Sequence, residues 1–224
     1  MRPMLDDGDG RSHRISGPPG PAPGSARADG TRVPSARPTD GTGGDDHYRA
    51  RMIIPAPRPL LFLDVDGPLI PFGAAPDAYP TYTTGDDRLD AAANPLLTRI
   101  DPAHGPRLAA LTCDIVWATT WMADANECVA PRLGLPPLPV VDWPEPSARD
   151  ERDRRMGLHW KTRPLVAWAA GRPFAWVDDE PTDADRAWVA AHHPGEALLH
   201  RVDPRRGLDE DDYAVLEAWL DRVR

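Results

Sequence analysis

One stretch of the sequence decides the fold: Leu60-Leu61-Phe62-Leu63-Asp64-Val65-Asp66-Gly67-Pro68-Leu69. Its first residues form a short, unbroken apolar run, which predicts a strand over residues 60–65 that is buried on both faces of a parallel sheet. Gly67 and Pro68 end the run. Asp64 and Asp66 are therefore expected where a central strand meets its loop, at the carboxyl edge where open α/β sheets bind ligands.

The two aspartates favour a ligand between them. Carboxylates that are held close together repel each other, which raises the free energy of the folded state. A divalent cation offsets that repulsion, because hard cations prefer oxygen ligands. A metal site at the end of the first strand is thus the first functional hypothesis.

The length and charge of the chain limit the classes of function. Its 224 residues suffice for one good-sized core and a tail. A net charge of -9 and a pI of about 5.2 do not favour nucleic-acid binding by bulk electrostatics, although a local basic patch stays open. Cys113 and Cys128 make no disulfide framework and fit a reducing compartment. Without an apolar run near the roughly 20 residues of a membrane helix, or a signal peptide, we expect a cytoplasmic protein with no membrane partner.

Two parts of the chain differ in composition. Residues 1–52 are rich in Gly, Pro, Ser, Asp and Arg and almost free of large apolar side chains. Such a segment buries too little surface to offset its ordering entropy, so we predict a disordered tail. Residues 58–224 are predicted to form one folded domain of ordinary size.

Strands and helices alternate along the folded part. Apolar runs predict strands at 60–65, 115–119, 138–141, 174–177 and 197–202. Helices are predicted at 102–111, 122–133, 161–170, 183–191 and from residue 208 onward. This alternation predicts an α/β fold with three layers around a parallel, Rossmann-like sheet. Residues 66–101 are predicted as a small flap with a hairpin arm at Tyr79–Thr83, with no large cap domain, and residues 143–158 as a loop.

Polar residues follow three of the predicted strands. They are Asp64 and Asp66 after the first, Thr119 and Thr120 after the second, and Asp178 and Asp179 after the fourth, while Lys161 opens the helix before that fourth strand. Each residue taken alone fits an ordinary turn, cap or solvated surface position. Their order along the chain and their placement at strand ends favour a shared site.

The order of these residues resembles the haloacid dehalogenase-like (HAD) superfamily. The first motif of that superfamily, an apolar strand that ends in Asp-x-Asp-Gly, is matched by Leu63–Gly67. The second, a strand that ends in Thr or Ser, is matched by Val116–Thr119. Lys161 matches the third motif and Trp176–Asp179 the fourth, an acidic strand end.

A narrower likeness lies within the same motifs. The segments Trp117–Trp121, Ala125-Asn126 and Phe174–Glu180 are similar to the HAD domain that is linked with bacterial "Swiss army knife" RNA-repair proteins. Pro68 departs from the pattern, since phosphatases of the superfamily often have Thr or Val there. That departure bears on the leaving group and not on the nucleophile.

The resemblance implies a Mg²⁺-dependent phosphatase. In such an enzyme Asp64 is the nucleophile that forms an aspartyl-phosphate, and Asp66 is the general acid and base. Thr119 and Lys161 hold the phosphoryl group. The implied Mg²⁺ ligands are the carboxylates of Asp64 and Asp178 and the backbone carbonyl of Asp66, with Asp179 as a second ligand or a partner of Lys161. Thr182 or Asp183 is expected to cap the helix that begins near residue 183, and a cap is the favoured role of Asp183 over a place near the metal.

Several functions remain compatible with these residues. The small flap implies an open site, which suits a bulky phosphorylated substrate such as an RNA end, but the acidic charge counts against strand binding. A phosphatase of small metabolites or nucleotides is the alternative within the same chemistry, and a non-catalytic binding domain that keeps the HAD fold is the alternative outside it. A base-stacking platform of Trp121, Trp143, Tyr79 and Tyr82, and a site role for His159, are weaker hypotheses than core or flap packing.

Overall fold

The fold is built on a parallel sheet of four strands with the order β2-β1-β3-β4. The computed structural model describes residues 57–83 and 94–224, so the predicted disordered tail at residues 1–52 lies outside the described residues. The strands are β1 (Leu60–Leu63), β2 (Asp114–Trp117), β3 (Phe174–Asp178) and β4 (Ala197–Arg201). The predicted α/β class with a parallel sheet is confirmed.

Strand β1 lies at the centre, as its sequence predicts. Every one of its residues is buried, because neighbours cover both its edges and both its faces. Leu63 lies opposite Trp117 of β2 and Val177 of β3. The three strands therefore reach the carboxyl edge at the same level, and the residues that follow them meet there.

Helices cover both faces of the sheet and make the three layers. One face packs against α1 (His104–Ala110), α2 (Ala130–Leu133, which continues a π-helical turn at Ala125–Val129) and α6 (Glu210–Arg222). The other face packs against α4 (Thr162–Ala169) and α5 (Asp183–His192). None of the helices in the described part of the chain combines the length and apolar character that crossing a bilayer requires.

One predicted strand is wrong. Residues 138–141 do not form a strand but a single bridge, in which Val140 lies beside Trp117 at the outer edge of β2. The Trp117 amide donates to the Pro139 carbonyl at 2.8 Å, and the Val141 amide donates to the Trp117 carbonyl at 2.9 Å. Proline has no amide hydrogen to donate, so the pairing does not extend along the ladder.

The segment predicted as a loop at residues 143–158 contains a helix, α3 (Ala148–Arg155). Its N-terminus is closed by Asp150, whose Oδ2 accepts hydrogen bonds from the Ser147 amide and hydroxyl at 2.6 and 2.8 Å. The prediction failed because the helix has almost no apolar side chains, so its sequence lacks the amphipathic period. This helix is therefore stabilised by capping and not by burial of an apolar stripe.

The flap between β1 and α1 contains less regular secondary structure than predicted. Tyr79–Thr83 is not a hairpin arm, because none of its residues lies in a strand, and the Tyr82 amide donates a backbone hydrogen bond of 2.7 Å to the Thr98 carbonyl, which lies in a 3₁₀ turn. Two short 3₁₀ turns, Pro76–Ala78 and Pro95–Arg99, supply the regular structure in the described part of the segment.

Candidate active site

A buried lysine joins two strand ends at the carboxyl edge of the sheet. Asp64 directly follows β1, and Asp178 is the last residue of β3. Lys161 Nζ donates to Asp64 Oδ2 and to Asp178 Oδ2, at 2.7 Å each. All three residues are buried: Asp64 is 7% exposed, Asp178 is 0% exposed and Lys161 is 2% exposed. We call this group the charged centre.

Further hydrogen bonds fix the two carboxylates of the charged centre. Asp64 Oδ1 accepts from the Val65 amide at 2.8 Å. Asp178 accepts from Trp176 Nε1 at 3.0 Å on one oxygen and from the Glu180 amide at 2.9 Å on the other. Because each oxygen of both carboxylates is engaged, their orientation is set before any ligand arrives.

Lys161 is positioned by a third aspartate, Asp185, at the start of α5. The fully buried Asp185 accepts hydrogen bonds from the Thr162 hydroxyl at 2.5 Å and from the His159 amide at 2.7 Å, on either side of the lysine. Its other oxygen closes a capping box with Thr182. Burial alone raises the pKa of Asp185, but these hydrogen bonds outweigh it and hold the pKa below its usual value.

The charged centre carries more negative than positive charge. Burial, together with the neighbouring Asp178, raises the pKa of Asp64 from 3.8 to about 7, against the opposing effect of Lys161. Burial lowers the pKa of Lys161, but its two carboxylate partners outweigh burial, and the net shift of this pKa is upward. Lys161 is therefore a fixed cation between two carboxylates that still lack one compensating charge.

Asp179 adds a third carboxylate beside the charged centre. Carboxylate oxygens of Asp64, Asp178 and Asp179 all lie within 4.8 Å of one another. Burial and the adjacent Asp178 raise the pKa of Asp179. Gly67, with φ of +85°, makes this approach feasible, since a Cβ there would lie 2.8 Å from Asp179 Oδ1.

The donor set fits a small divalent cation. Three carboxylates and one ammonium group leave a formal charge of -2 in a largely buried space. Oxygen ligands of this kind are those that Mg²⁺ prefers, and an ion of charge +2 neutralises the group. Asp66 does not belong to this carboxylate group in the described part of the chain, and its predicted role through the backbone carbonyl stays a prediction.

The other two predicted site residues are each bonded to a tryptophan. Trp121 Nε1 donates to Asp66 Oδ2 at 3.0 Å, and the Trp121 amide donates to the fully buried Thr119 Oγ1 at 3.3 Å. Trp143 Nε1 donates to the Thr119 carbonyl at 3.0 Å. Trp121 and Trp143 therefore hold the polar residues of the site, rather than forming the stacking platform weighed from the sequence.

The remaining weaker candidates lie elsewhere or play other parts. Within the flap, the Tyr79 hydroxyl accepts a hydrogen bond from the Ala74 amide, and the Tyr82 hydroxyl donates to Asp101. Of the two caps predicted for α5, Thr182 is confirmed as the N-cap and Asp183 is not a cap: it is exposed and pairs with Arg186 at 2.9 Å.

One positioning residue, Asp185, could have been found in the sequence but was missed. Thr182 and Asp185 have the spacing of a capping box, which predicts a helix start whose carboxylate faces back along the chain. Lys161 is the only lysine among 26 lysines and arginines, so a lysine at this position stands out from the composition of the chain. Lysine differs from arginine as a compact cation that fits between two carboxylates.

The comparison with known families agrees with this geometry. No curated protein and no solved structure matches the chain. Residues 60–213 match the family model for the HAD domain in Swiss Army Knife RNA repair proteins, and that span includes the charged centre, Thr119 and all four strands. The chain belongs to this family of HAD domains.

Proposed function

We propose that the protein is a Mg²⁺-dependent phosphohydrolase that works through an aspartyl-phosphate on Asp64 and acts on phosphorylated RNA ends. The observation that carries the proposal is the charged centre, in which Lys161 lies 2.7 Å from the carboxylates of Asp64 and Asp178. A buried cation held between two carboxylates at the ends of neighbouring strands is costly unless it serves chemistry or specificity. Membership of a family of HAD domains in RNA repair proteins supports a phosphohydrolase reaction.

The first half of the reaction uses Asp64 and Asp66. A carboxylate oxygen of Asp64 attacks phosphorus, and the bond from phosphorus to the ester oxygen of the substrate breaks. Asp66 gives a proton to that leaving oxygen. A hydrogen bond of 3.0 Å from Trp121 Nε1 fixes the orientation of the Asp66 carboxylate, which supports this role.

The second half reverses the proton transfer. Asp66, now ionised, takes a proton from a water molecule as that water attacks phosphorus. The bond from phosphorus to Asp64 breaks, which releases inorganic phosphate and restores both aspartates. Lys161 keeps one positive charge beside Asp64 throughout, which lowers the repulsion between the carboxylate and the phosphoryl oxygens. Thr119 holds a phosphoryl oxygen.

The carboxylates of Asp64, Asp178 and Asp179, with the Asp66 carbonyl, would hold the Mg²⁺. When bound, the ion supplies positive charge that offsets the negative charge of the phosphoryl group and the carboxylates. The formal charge of -2 in this group supports that assignment.

The proposal is tested by phosphate release from p-nitrophenyl phosphate with and without MgCl₂. We expect release that needs the metal and falls at least about 10³-fold in Asp64→Asn, because the amide is a poor nucleophile. Asp183→Asn is the matched control, since the same change occurs at an exposed carboxylate outside the charged centre. A ³²P-labelled substrate, quenched in acid, should leave label on the wild-type chain and none on Asp64→Asn.

A substrate panel separates the alternatives. Oligonucleotides with 5′- or 3′-phosphate should be hydrolysed with a higher kcat/KM than nucleotides or sugar phosphates. The opposite order would favour the small-metabolite phosphatase, which the net charge of -9 supports. If neither the wild type nor Asp64→Asn releases phosphate with any divalent metal, the chemistry is refuted and the domain is a binding module.

A further inference from the structure

A groove lined by arginines lies between α3 and α4, outside the charged centre. Its volume is about 430 Å³. The lining residues are Arg149, Arg152, Asp153, Arg155, Met156 and Arg163. We call it the arginine groove.

The arginine groove keeps an uncompensated positive charge in an acidic chain. Arg163 and Asp153 neutralise each other, with two hydrogen bonds of 2.5 and 2.8 Å. Arg149, Arg152 and Arg155 have no carboxylate within 4.0 Å in the part of the chain that the structure describes. Other arginines of this acidic chain, such as Arg172, are paired. With four arginines against one aspartate in its lining, and three of those arginines outside any ion pair among the described residues, the groove is suited to an anionic partner.

A short segment connects this groove to the charged centre. It runs from Met156, at the end of α3, to Lys161. The loop after Asp178 holds it in place: Gly157 O accepts from the Thr182 hydroxyl at 3.2 Å, and His159 Nε2 lies 2.7 Å from Glu180 Oε2. The segment that leads from the arginine groove to Lys161, the partner of the proposed nucleophile, is therefore fixed in position.

An exposed aromatic ring lies on that path. Trp160 is 40% exposed, and its ring meets Trp143 edge to face, at 4.8 Å between centroids. Trp143 is bonded to the Thr119 carbonyl, and Lys161 Nζ lies 5.6 Å from the Trp160 ring centroid. A large ring that stays exposed beside phosphate-binding residues is suited to stack on a flat ligand group.

Arginines for phosphates and an aromatic ring for bases are the two elements of a single-strand binding surface. We propose that the arginine groove binds the backbone phosphates of a single-stranded nucleic acid, and that Trp160 stacks on a base near the phosphorylated end at Asp64. The proposal rests on the proposed function, since it extends that site along the strand. A phosphopeptide would satisfy the arginines and leave Trp160 without a base.

The salt dependence of binding tests the arginine groove. The full-length chain with Asp64→Asn is titrated into a fluorescent single-stranded RNA of about twelve nucleotides with a terminal phosphate, and anisotropy is followed from about 50 to 200 mM NaCl. Adding Arg152→Gln and Arg155→Gln should weaken binding about tenfold at the lowest salt. The slope of log K against log salt should become shallower by about 1.4, since each single-strand phosphate contact contributes about 0.7.

The matched control removes two exposed arginines elsewhere, Arg222→Gln and Arg224→Gln, which change the net charge by the same amount. It should leave the slope as it is. Equal slopes for the groove variant and its parent, or an equal change in the control, overturn the proposal. Trp160→Ala should lower affinity about tenfold with no change of slope, because stacking carries no counterion release. A phosphopeptide of equal charge that competes as well as the RNA overturns the part played by Trp160.

The outcome for strand binding is independent of the outcome for hydrolysis. Strand binding with the expected slopes, but without hydrolysis by the wild type, refutes the phosphohydrolase and keeps the arginine groove. Metal-dependent hydrolysis of RNA ends, with strand affinity insensitive to Arg152 and Arg155, refutes the arginine groove and keeps the enzyme.

Discussion

The charged centre and the arginine groove use charge in opposite ways. In the charged centre, Lys161 is 2% exposed and touches two carboxylates at 2.7 Å. In the arginine groove, Arg149, Arg152 and Arg155 are exposed and have no carboxylate partner among the described residues. The first arrangement fixes geometry inside the protein, and the second leaves charge available to a partner.

The two regions differ in how their charges affect the free energy of folding. Charges that are taken out of water must be paired and hydrogen-bonded, or the folded state loses several kcal/mol. Charges that stay in water cost little and contribute little to stability. Removing a residue from the charged centre should therefore damage both folding and chemistry, while removing an exposed arginine from the arginine groove should affect binding alone.

The largest effect on stability is expected for Lys161→Met. The variant leaves Asp64 and Asp178 buried without their cation, which should lower the free energy of unfolding by about 3–5 kcal/mol at pH 8. Activity towards p-nitrophenyl phosphate should fall by about 10²–10³-fold, in line with the loss of one preorganised charge. Urea denaturation and initial rates measure the two effects.

The control for this change is Arg155→Met, which removes an exposed cation and should shift the free energy of unfolding by less than about 0.5 kcal/mol. Near pH 5, protonation of Asp64 should reduce the loss in Lys161→Met, because its raised pKa of about 7 makes the neutral acid dominant there. A loss that is equal at both values of pH would contradict the electrostatic origin.

The charged centre could be predicted from the sequence because its carboxylates follow apolar runs. Parallel strands bring their carboxyl ends to one edge, so residues 64 and 178 had to meet once the two strands were identified. The sequence predicted a site role for Lys161 only through the order of the motifs. The lysine opens a helix, and capping and tertiary contacts decide where a helix begins. Asp185, which holds the segment on either side of Lys161, lies outside the family motifs quoted above.

The arginine groove could not be predicted for a physical reason. The sequence of α3, Ala-Arg-Asp-Glu-Arg-Asp-Arg-Arg, has no apolar stripe, so hydrophobic periodicity does not distinguish it from a charged loop. The partners of Trp121 and Trp143 were missed for a related reason, since an indole hydrogen bond depends on which loops meet in three dimensions. Apolar periodicity predicted the layers, and polar contacts between loops required the structure.

An intermediate effect is expected when Mg²⁺ is added to the metal-free protein. The pKa of Asp64 in the fold, about 7, is raised above 3.8, so its contribution to stability is present at low pH and is lost as the pH rises through about 7. A cation that binds the ionised carboxylates should restore this stability. At about one hundred times its dissociation constant, the ion adds about 2.7 kcal/mol near pH 8, which corresponds to roughly 5–10 °C in Tm.

Near pH 5 the same concentration should add much less, because protons compete for Asp64. Thermal unfolding at both values of pH, with MgCl₂ or with EDTA, measures the difference. Asp64→Asn should show nearly equal, small shifts at the two values of pH. A larger shift at the lower pH would exclude Asp64 as a ligand.

The smallest of the three stability effects, apart from the control variants, is expected at Asp153, the carboxylate in the lining of the arginine groove. Asp153 is 4% exposed, and its hydrogen bond with Arg163 lowers its pKa. The pair therefore stabilises the fold above the ordinary pKa of an aspartate, and this contribution is lost as the pH falls through the lowered pKa. Asp153→Asn should cost about 1–2 kcal/mol at pH 7, against less than about 0.5 kcal/mol for Arg149→Gln.

The affinities of the two variants for single-stranded RNA should have the opposite order to their stabilities. Asp153→Asn releases Arg163 from its partner and adds one positive charge to the arginine groove, so single-stranded RNA should bind a few-fold more tightly and with a steeper salt slope. Arg149→Gln should bind less tightly at unchanged stability. Urea denaturation and anisotropy on the same preparations measure both quantities, and a parallel loss of stability and affinity in Asp153→Asn would show that α3 serves only the fold.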